Sequence, residues 1–132
     1  MYQDLPRPTI FAHRGSNAHA PENTLAAFQL AVKQGAPAIE LDAKLTSDNE
    51  IVVFHDQTLN RTTNGSGAVQ NTRLAVLKEL DAGSHFSDMF KGEKIPTLAE
   101  VFEVVGQKVF INIELTNYAT PRDVLPNLVV EL

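Results

Sequence analysis

The sequence predicts an α/β fold, because short β-like apolar runs alternate along it with stretches of helical periodicity. Hydrophobic residues make up 43% of the 132 positions, which is enough for one packed core. No internal repeat or low-complexity tract divides the chain. We therefore treat residues 1–132 as belonging to a single domain.

The first strand is expected at residues 9–12, followed by a helix from about Pro21 to Gly35. The apolar positions of that helix recur at helical spacing, at Leu25, Phe28 and Val32. Pro21 suits a first helical turn, and Glu22 suits the positive end of the helix dipole.

Two strand-like segments follow, at 38–45 and at 51–54, with a turn signal between them; the second is rich in β-branched residues. Only about eight residues separate Asp42 from Ile51, which is too few for a crossover helix. Because these residues reach roughly 26 Å when extended, a parallel pair with an extended return stays open. With a further strand at 109–115, we count four strands that can all be parallel.

Residues 57–96 have the character of an insertion, with a short helix expected at 72–80. Thr97 and Glu100 predict a capping box at the start of the next helix. A last helix is expected from about residue 120, and its apolar stretch reaches the chain end without a stop signal. Since an open four-stranded parallel sheet is unusual for a finished domain, we expect a truncated structure.

The composition argues against several classes of protein. Eleven basic and sixteen acidic residues give a net charge of −5 with no basic block, which disfavours nucleic acid and anionic membranes as partners. No apolar run approaches the roughly 20 residues of a membrane span, and the opening residues do not look like a signal peptide. We therefore expect no transmembrane segment and a cytoplasmic location. The absence of cysteine excludes disulfides and zinc–thiolate sites.

Polar residues at or within the predicted strands form the candidate site. Glu40 and Asp42 are two apart, so a β-strand points both to one face, and Glu114 lies in the fourth strand. The carboxyl ends of parallel strands in a β/α arrangement share one rim. Three carboxylates at that rim would suit a hard divalent cation, Mg²⁺ or Ca²⁺. A pair of strand carboxylates is more often a solvated face, but apolar neighbours flank these, and burying several carboxylates together is costly without a cation.

Two histidines and an arginine complete the set. His13 and His55 each follow an apolar run, and imidazole titrates near neutral pH, as a general acid or base requires. Arg14 offers a planar fork for phosphate or carboxylate. A single histidine at a strand end is more often an ordinary hydrogen-bonding residue, so the argument depends on the combination.

Five motifs occur in order along the chain. They are His-Arg-Gly at 13–15, Pro-Glu-Asn-Thr at 21–24, Glu40 with Asp42, His55 with Asp56, and Asn-Ile-Glu at 112–114. Together they resemble the glycerophosphodiester phosphodiesterases, and segments 80–84 and 92–98 resemble that family's inserted segment and the helix after it. The resemblance covers about residues 9–116, and the ordered set is far more specific than any one motif.

The resemblance implies a phosphodiesterase-type TIM (β/α) barrel, of which this chain is the N-terminal half, with about the first four strands and a small insertion at about 57–96. It implies metal-dependent hydrolysis of glycerophosphodiesters, such as glycerophosphocholine or glycerophosphoethanolamine, to glycerol 3-phosphate and an alcohol. The family's functional residues are carried over as metal ligands Glu40, Asp42 and Glu114, catalytic His13 and His55, and phosphate-contacting Arg14.

The chain departs from the family pattern in two ways. Many members carry a lysine where Thr116 stands, so weaker phosphate binding or a changed headgroup preference is expected. A complete barrel takes about 250 residues, about twice this chain, so the family's second half is absent.

Three interpretations stay open at this stage. The first is the phosphodiesterase, with either water or the glycerol 2-hydroxyl as attacking group and with the acid and base roles of the histidines unassigned. This interpretation assigns the activity to the full-length protein and leaves open whether the 132-residue chain is active alone. The second is a non-catalytic half-barrel that binds a partner or pairs with a second copy, as a homodimer completing the barrel. The third is a related lysophospholipase D-type activity on longer lipids.

Overall fold

A computed structural model describes residues 5–116 and 124–132 of the chain. Its strands and helices, in chain order, are β1 (Phe11–His13), α1 (Leu25–Lys33), β2 (Ala38–Leu45), β3 (Ile51–Val53), α2 (Leu74–Glu79), α3 (Leu98–Val105), β4 (Phe110–Leu115) and α4 (Val124–Glu131). Two short 3₁₀ turns lie in the inserted segment 57–96, at Val69–Asn71 and Asp88–Phe90. The mixture of strands and helices confirms the predicted α/β class.

One open sheet contains all four strands, with β2 at its centre. β1 and β4 both run parallel to β2, with His13 opposite Glu40 and Glu114 opposite Asp42. Ala43 of β2 is paired with β3 on one side and with β4 on the other, so β1 and β3 share the remaining edge of β2. Three described strands are therefore parallel, as in a β/α barrel, and the sheet does not close.

The parallel arrangement left open for residues 51–54 is wrong. β3 runs antiparallel to β2, with Leu45 opposite Ile51 and Ala43 opposite Val53. The link is a tight hairpin, because the Thr46 amide donates to the Glu50 carbonyl at 3.0 Å and Asn49 adopts a left-handed φ of 60°. The chain therefore turns back at once, and the extended return that a parallel pair needs does not form.

The two faces of β2 have different roles. Its odd-numbered residues pack with α1, α3 and α4 in one hydrophobic core, which includes Ile39, Leu41, Phe28, Leu98 and Leu125. Its even-numbered residues, Glu40, Asp42 and Lys44, lie on the opposite face. A second core joins Val52 and Phe54 to the inserted segment at Leu59, Val69 and Leu77. The insertion is thereby attached beside the polar face of β2.

Several predicted boundaries need correction. The first helix begins at Leu25 and not near Pro21, because the side chain of Thr24 caps it by accepting from the Ala27 amide. Glu22 therefore lies before the Thr24 cap and outside the first turn of the helix. The capping box of Thr97 and Glu100 is confirmed. The predicted start of the last helix lies outside the described residues. Within the described residues, no helix has the length and hydropathy that crossing a membrane requires.

Candidate active site

Three carboxylates converge on the polar face of the sheet, as the strand pattern predicted. One oxygen from each of Glu40, Asp42 and Glu114 lies within 4.8 Å of the others. Alternation along β2 places Glu40 and Asp42 on one face, and the parallel pairing places Glu114 beside Asp42. Oxygens bound to one Mg²⁺ or Ca²⁺ ion, each about 2.0–2.6 Å from it, are at most about 5 Å apart. The spacing and the all-oxygen donor set therefore fit a single hard cation.

The cluster is partly desolvated, which makes its negative charge costly. Asp42 is 1% exposed and Glu40 8%, whereas Glu114 is exposed. Burial raises the pKa of Glu40; the backbone N–H of Arg14 opposes the rise, and the charges of Asp42 and Glu114 add to it. A group of like charges in this position is stabilised by a counter-charge.

The turn after β1 contacts two of these carboxylates, Glu40 and Asp42. The backbone N–H of Arg14 donates to Glu40 Oε2 at 3.0 Å, and Arg14 Nε lies 3.5 Å from Asp42 Oδ2. That Nε is buried and, among the described residues, has no hydrogen-bond partner. Arg14 and Gly15 both adopt left-handed backbone conformations, with φ of 56° and 81°. A Cβ on Gly15 would meet the backbone of Ala27 at 2.8 Å, so only glycine permits this close turn against α1.

Asn23 fixes the orientation of Asp42. Its side-chain Nδ2 donates to Asp42 Oδ2 at 2.8 Å, and the pair is buried. Asn23 has a φ of 57°, a conformation that asparagine tolerates better than other residues with a Cβ. The motif at 21–24 contributed only to the resemblance, and no contact with Asp42 was predicted. Its partner is 19 residues away, so no local pattern identifies it.

Both predicted histidines are solvent-accessible and approach the same edge of β2. His13 lies opposite Glu40 at the end of β1, with its Nε2 3.9 Å from Glu40 Oε2. β3 runs antiparallel to β2 and so approaches this edge from the opposite end of the sheet. The amide of Phe54, just before His55, donates to the Asp42 carbonyl. The antiparallel hairpin thus brings His55 to the edge where β1 ends, by a route that the sequence interpretation did not include.

His55 is paired with its neighbour Asp56. The distance from His55 Nδ1 to Asp56 Oδ1 is 2.7 Å. Hydrogen bonds from Arg61 hold the pKa of Asp56 far below its usual range, and the bond with His55 lowers it further. Asp56 is therefore a carboxylate that only accepts, so the proton between the two residues belongs to Nδ1 of His55.

A buried ammonium lies near the position where the resemblance expects a lysine. Lys44 is 4% exposed, and its Nζ donates to the Thr116 carbonyl at 2.9 Å and to Thr116 Oγ1 at 2.7 Å. Burial lowers the pKa of Lys44, and the charges of Asp42, Asp56 and Glu114 oppose that change. A lysine side chain from β2 therefore lies directly beside Thr116. The spacing of residues 40, 42 and 44 could have revealed this, because alternation puts all three on one face.

The carboxylates stand on an open face and not in a closed cavity. A cavity of about 430 Å³, lined by residues including Pro37 and Phe110, lies at the opposite ends of β2 and β4. Helices on one side of parallel strands, with polar groups near the strand ends on the other, are the arrangement of a β/α-barrel enzyme. The open sheet and its polar face are therefore those of part of a β/α-barrel protein.

Comparison with known proteins gives the family. The sequence model of the glycerophosphoryl diester phosphodiesterase family matches residues 13–129. A glycerophosphodiester phosphodiesterase of Caldanaerobacter subterraneus is 53% identical over 107 residues, which cover 80% of this chain and 44% of that protein. One from Bacillus altitudinis is 47% identical over 110 residues, covering 82% of this chain and 45% of that protein.

Solved structures of the same family also match this chain. An Oleispira antarctica phosphodiesterase, determined in complex with its product sn-glycerol-3-phosphate, matches with a TM-score of 0.93 and 44% identity over 98% of this chain and 52% of that one. A glycerophosphodiester phosphodiesterase from Thermotoga maritima matches with a TM-score of 0.74 and 36% identity over 92% of this chain and 47% of that one. The chain belongs to the glycerophosphoryl diester phosphodiesterase family, and it spans about half the length of the relatives it matches.

Proposed function

We propose that this chain carries the cation-binding and acid–base residues of a glycerophosphodiester phosphodiesterase, which hydrolyses a glycerophosphodiester to glycerol 3-phosphate and an alcohol. The observation that carries the proposal is the convergence of Glu40, Asp42 and Glu114 within 4.8 Å, beside Arg14 and His13. The product bound to the Oleispira antarctica relative supports the substrate class.

In this proposal the three carboxylates hold one divalent cation, Mg²⁺ or Ca²⁺. When bound, such an ion neutralises charge on a phosphate oxygen and polarises phosphorus. Asn23 donates to one oxygen of Asp42, which fixes the direction in which the other points. The guanidinium of Arg14, anchored through Nη1 on Glu22 at 3.0 Å, is the proposed second contact for the phosphate.

The two histidines transfer the protons. One removes a proton from the attacking group and the other protonates the departing alkoxide. Asp56 keeps Nδ1 of His55 protonated, so the exchange at that residue takes place at Nε2. Two attacking groups are compatible with this arrangement, water and the glycerol 2-hydroxyl. Product analysis distinguishes them, because only the hydroxyl route passes through a cyclic phosphate.

Calorimetric titration of the purified chain with Ca²⁺ and with Mg²⁺ tests the proposal, alongside hydrolysis of glycerophosphocholine. We expect one ion per chain and a loss of at least tenfold in affinity for Glu40→Gln. The matched control is Glu103→Gln, because Glu103 is an exposed carboxylate on α3, away from the cluster. Equal affinities for both variants and the parent chain would contradict the proposed site.

A second candidate is self-association, in which two open sheets pair to complete a barrel. Apolar side chains exposed on β1 and β4 favour it: Phe11 is 41% and Leu115 42% exposed. Light scattering during size-exclusion chromatography measures the mass directly. A dimer that Phe11→Ser abolishes would support this candidate, and a monomer at all concentrations would exclude it.

A further inference from the structure

Arg61 belongs to the inserted segment, which the proposed function has not used. Its guanidinium makes two paired contacts with carboxylates. Nε and Nη2 donate to the two oxygens of Asp56, both at 2.8 Å, and Nη1 and Nη2 donate to the two oxygens of Glu22, at 2.9 and 2.7 Å. A planar fork matches a carboxylate in this paired way, and an ammonium group does not.

Each of the two carboxylates contacts a residue of the candidate site. Asp56 accepts from His55 Nδ1 at 2.7 Å, and Glu22 accepts from Arg14 Nη1 at 3.0 Å. Arg61 is therefore linked through one carboxylate to a proposed acid–base group, His55, and through another to the proposed phosphate-binding group, Arg14. The contacts join three segments that are far apart in the sequence: the turn before α1, the residues after β3 and the insertion.

The backbone that carries Arg61 is held firmly by its surroundings. Leu59 and Thr62, on either side of it, are buried. The Leu59 amide donates to the Gly67 carbonyl at 2.9 Å, and the Asn64 amide donates to the Asp81 carbonyl at 3.1 Å. Although the Arg61 side chain is 48% exposed, it is presented from a fixed loop, which distinguishes it from an ordinary surface ion pair.

Removing Arg61 would leave two carboxylates facing each other without a cation between them. Arg61 is the leading cause of the lowered pKa of both Glu22 and Asp56, so both are ionised at neutral pH. Glu22 would then compete with the substrate phosphate for the guanidinium of Arg14. Asp56 would no longer have a fixed position beside the imidazole of His55.

We infer that Arg61 is a positioning residue for phosphodiester hydrolysis: through Asp56 it fixes the Nδ1-protonated form and the orientation of His55, and through Glu22 it keeps Arg14 directed at the phosphate. The inference rests on the proposed function for its role in the reaction. The contacts themselves lead to a measurement on the imidazole that needs no activity.

The test compares Arg61→Met with the parent chain and with the control Arg73→Met, an exposed arginine of the same insertion. Long-range ¹H–¹⁵N correlation of the imidazoles reports which nitrogen of His55 carries the proton. We expect the parent and Arg73→Met to show the Nδ1-protonated form, and Arg61→Met to show a mixture of both forms. Circular dichroism establishes that each variant is folded. A folded Arg61→Met chain whose His55 signals match the parent would overturn the inference.

Hydrolysis of glycerophosphocholine gives the second readout. We expect Arg61→Met to lower kcat about 10- to 100-fold, with Ca²⁺ affinity unchanged, because Arg61 does not contact the carboxylate cluster. Arg61→Lys restores charge without the fork and is expected to recover only part of kcat. In the Asp56→Asn background, Arg61→Met is expected to lower kcat by a smaller factor than in the parent, since only the contact through Glu22 is then left to lose.

The outcomes separate this inference from the proposed function. If the parent hydrolyses the substrate and Arg61→Met matches it in kcat, the inference is wrong and the proposed function stands. If the parent binds no cation, the proposed function is wrong and the claim about the reaction falls with it. If the parent binds the cation but hydrolyses nothing, the proton position of His55 alone decides the inference. The change in the His55 proton position in Arg61→Met would then support the positioning contact alone.

Discussion

Replacement of Asn23 tests how firmly the site is built into the fold. Asn23→Ala removes the buried 2.8 Å hydrogen bond to Asp42, and the loss of a bond to a charged group costs about 1.5–3 kcal/mol. Alanine must also adopt the left-handed φ of 57°, at a further cost of about 1–2 kcal/mol. We therefore expect the free energy of unfolding to fall by about 2.5–5 kcal/mol.

The chain offers a matched control for the backbone part of this cost. Asn49 has nearly the same φ, 60°, but lies exposed in the β2–β3 hairpin. Asn49→Ala should therefore lose only about 1–2 kcal/mol. For a chain of 132 residues, 1 kcal/mol corresponds to roughly 4 °C in melting temperature. The expected decreases are roughly 10–20 °C for Asn23→Ala and 4–8 °C for Asn49→Ala.

Thermal unfolding followed by circular dichroism, in EDTA, measures both decreases. Urea unfolding supplies the free energies independently of the temperature scale. If the two variants lost equal stability, the bond from Asn23 to Asp42 would contribute nothing, and the argument that the fold orients this carboxylate would be refuted.

Two further predictions concern stability. Burial raises the pKa of Glu40, so its contribution to stability is full below the ordinary glutamate pKa of 4.5 and is lost as the pH rises through the folded-state pKa. In EDTA, Glu40→Gln should therefore flatten the decline in melting temperature between about pH 4 and 8. Melting profiles identical to those of the parent chain would contradict this prediction. Gly15→Ala should lower the free energy of unfolding by about 2–5 kcal/mol, because the new Cβ meets the Ala27 backbone at 2.8 Å at a φ of 81°. The control Gly35→Ala has the same φ but lies in open space, so it should lower the free energy by only about 1–2 kcal/mol in urea unfolding. Equal losses would rule out the close approach of Gly15 to Ala27.

Local patterns predicted the parts of the fold that depend on neighbouring residues. The alternation of Glu40 and Asp42 placed both on one face, because that period belongs to any β-strand. The capping box of Thr97 and Glu100 needs only a spacing of three residues. The position of Glu114 beside Glu40 and Asp42 was also predictable, because parallel strands bring their carboxyl ends to one rim.

The sequence left the direction of β3 open, although the signal for an antiparallel hairpin was present. Residues 47–49 predict a turn, and Asn49 is a residue type that tolerates a left-handed φ. Length alone kept a parallel return open, because eight extended residues are long enough for it. The physical reason for the hairpin is that the turn forms locally, whereas an extended return would leave its backbone hydrogen bonds unpaired.

The contacts that organise the site could not be obtained from spacing. Asn23 meets Asp42 across 19 residues, and Arg61 meets Glu22 across 39. A charged or amide side chain in a loop has many possible partners, and only tertiary packing selects one. The family resemblance supplies the candidate residues, whereas the hydrogen bonds between them are seen only in the three-dimensional arrangement.

A crystal of the chain grown with Mn²⁺, measured at the manganese absorption edge, tests the central claim most directly. The account predicts one anomalous peak about 2.0–2.6 Å from an oxygen of each of Glu40, Asp42 and Glu114. A peak elsewhere, or one that reaches only a single carboxylate, would contradict it.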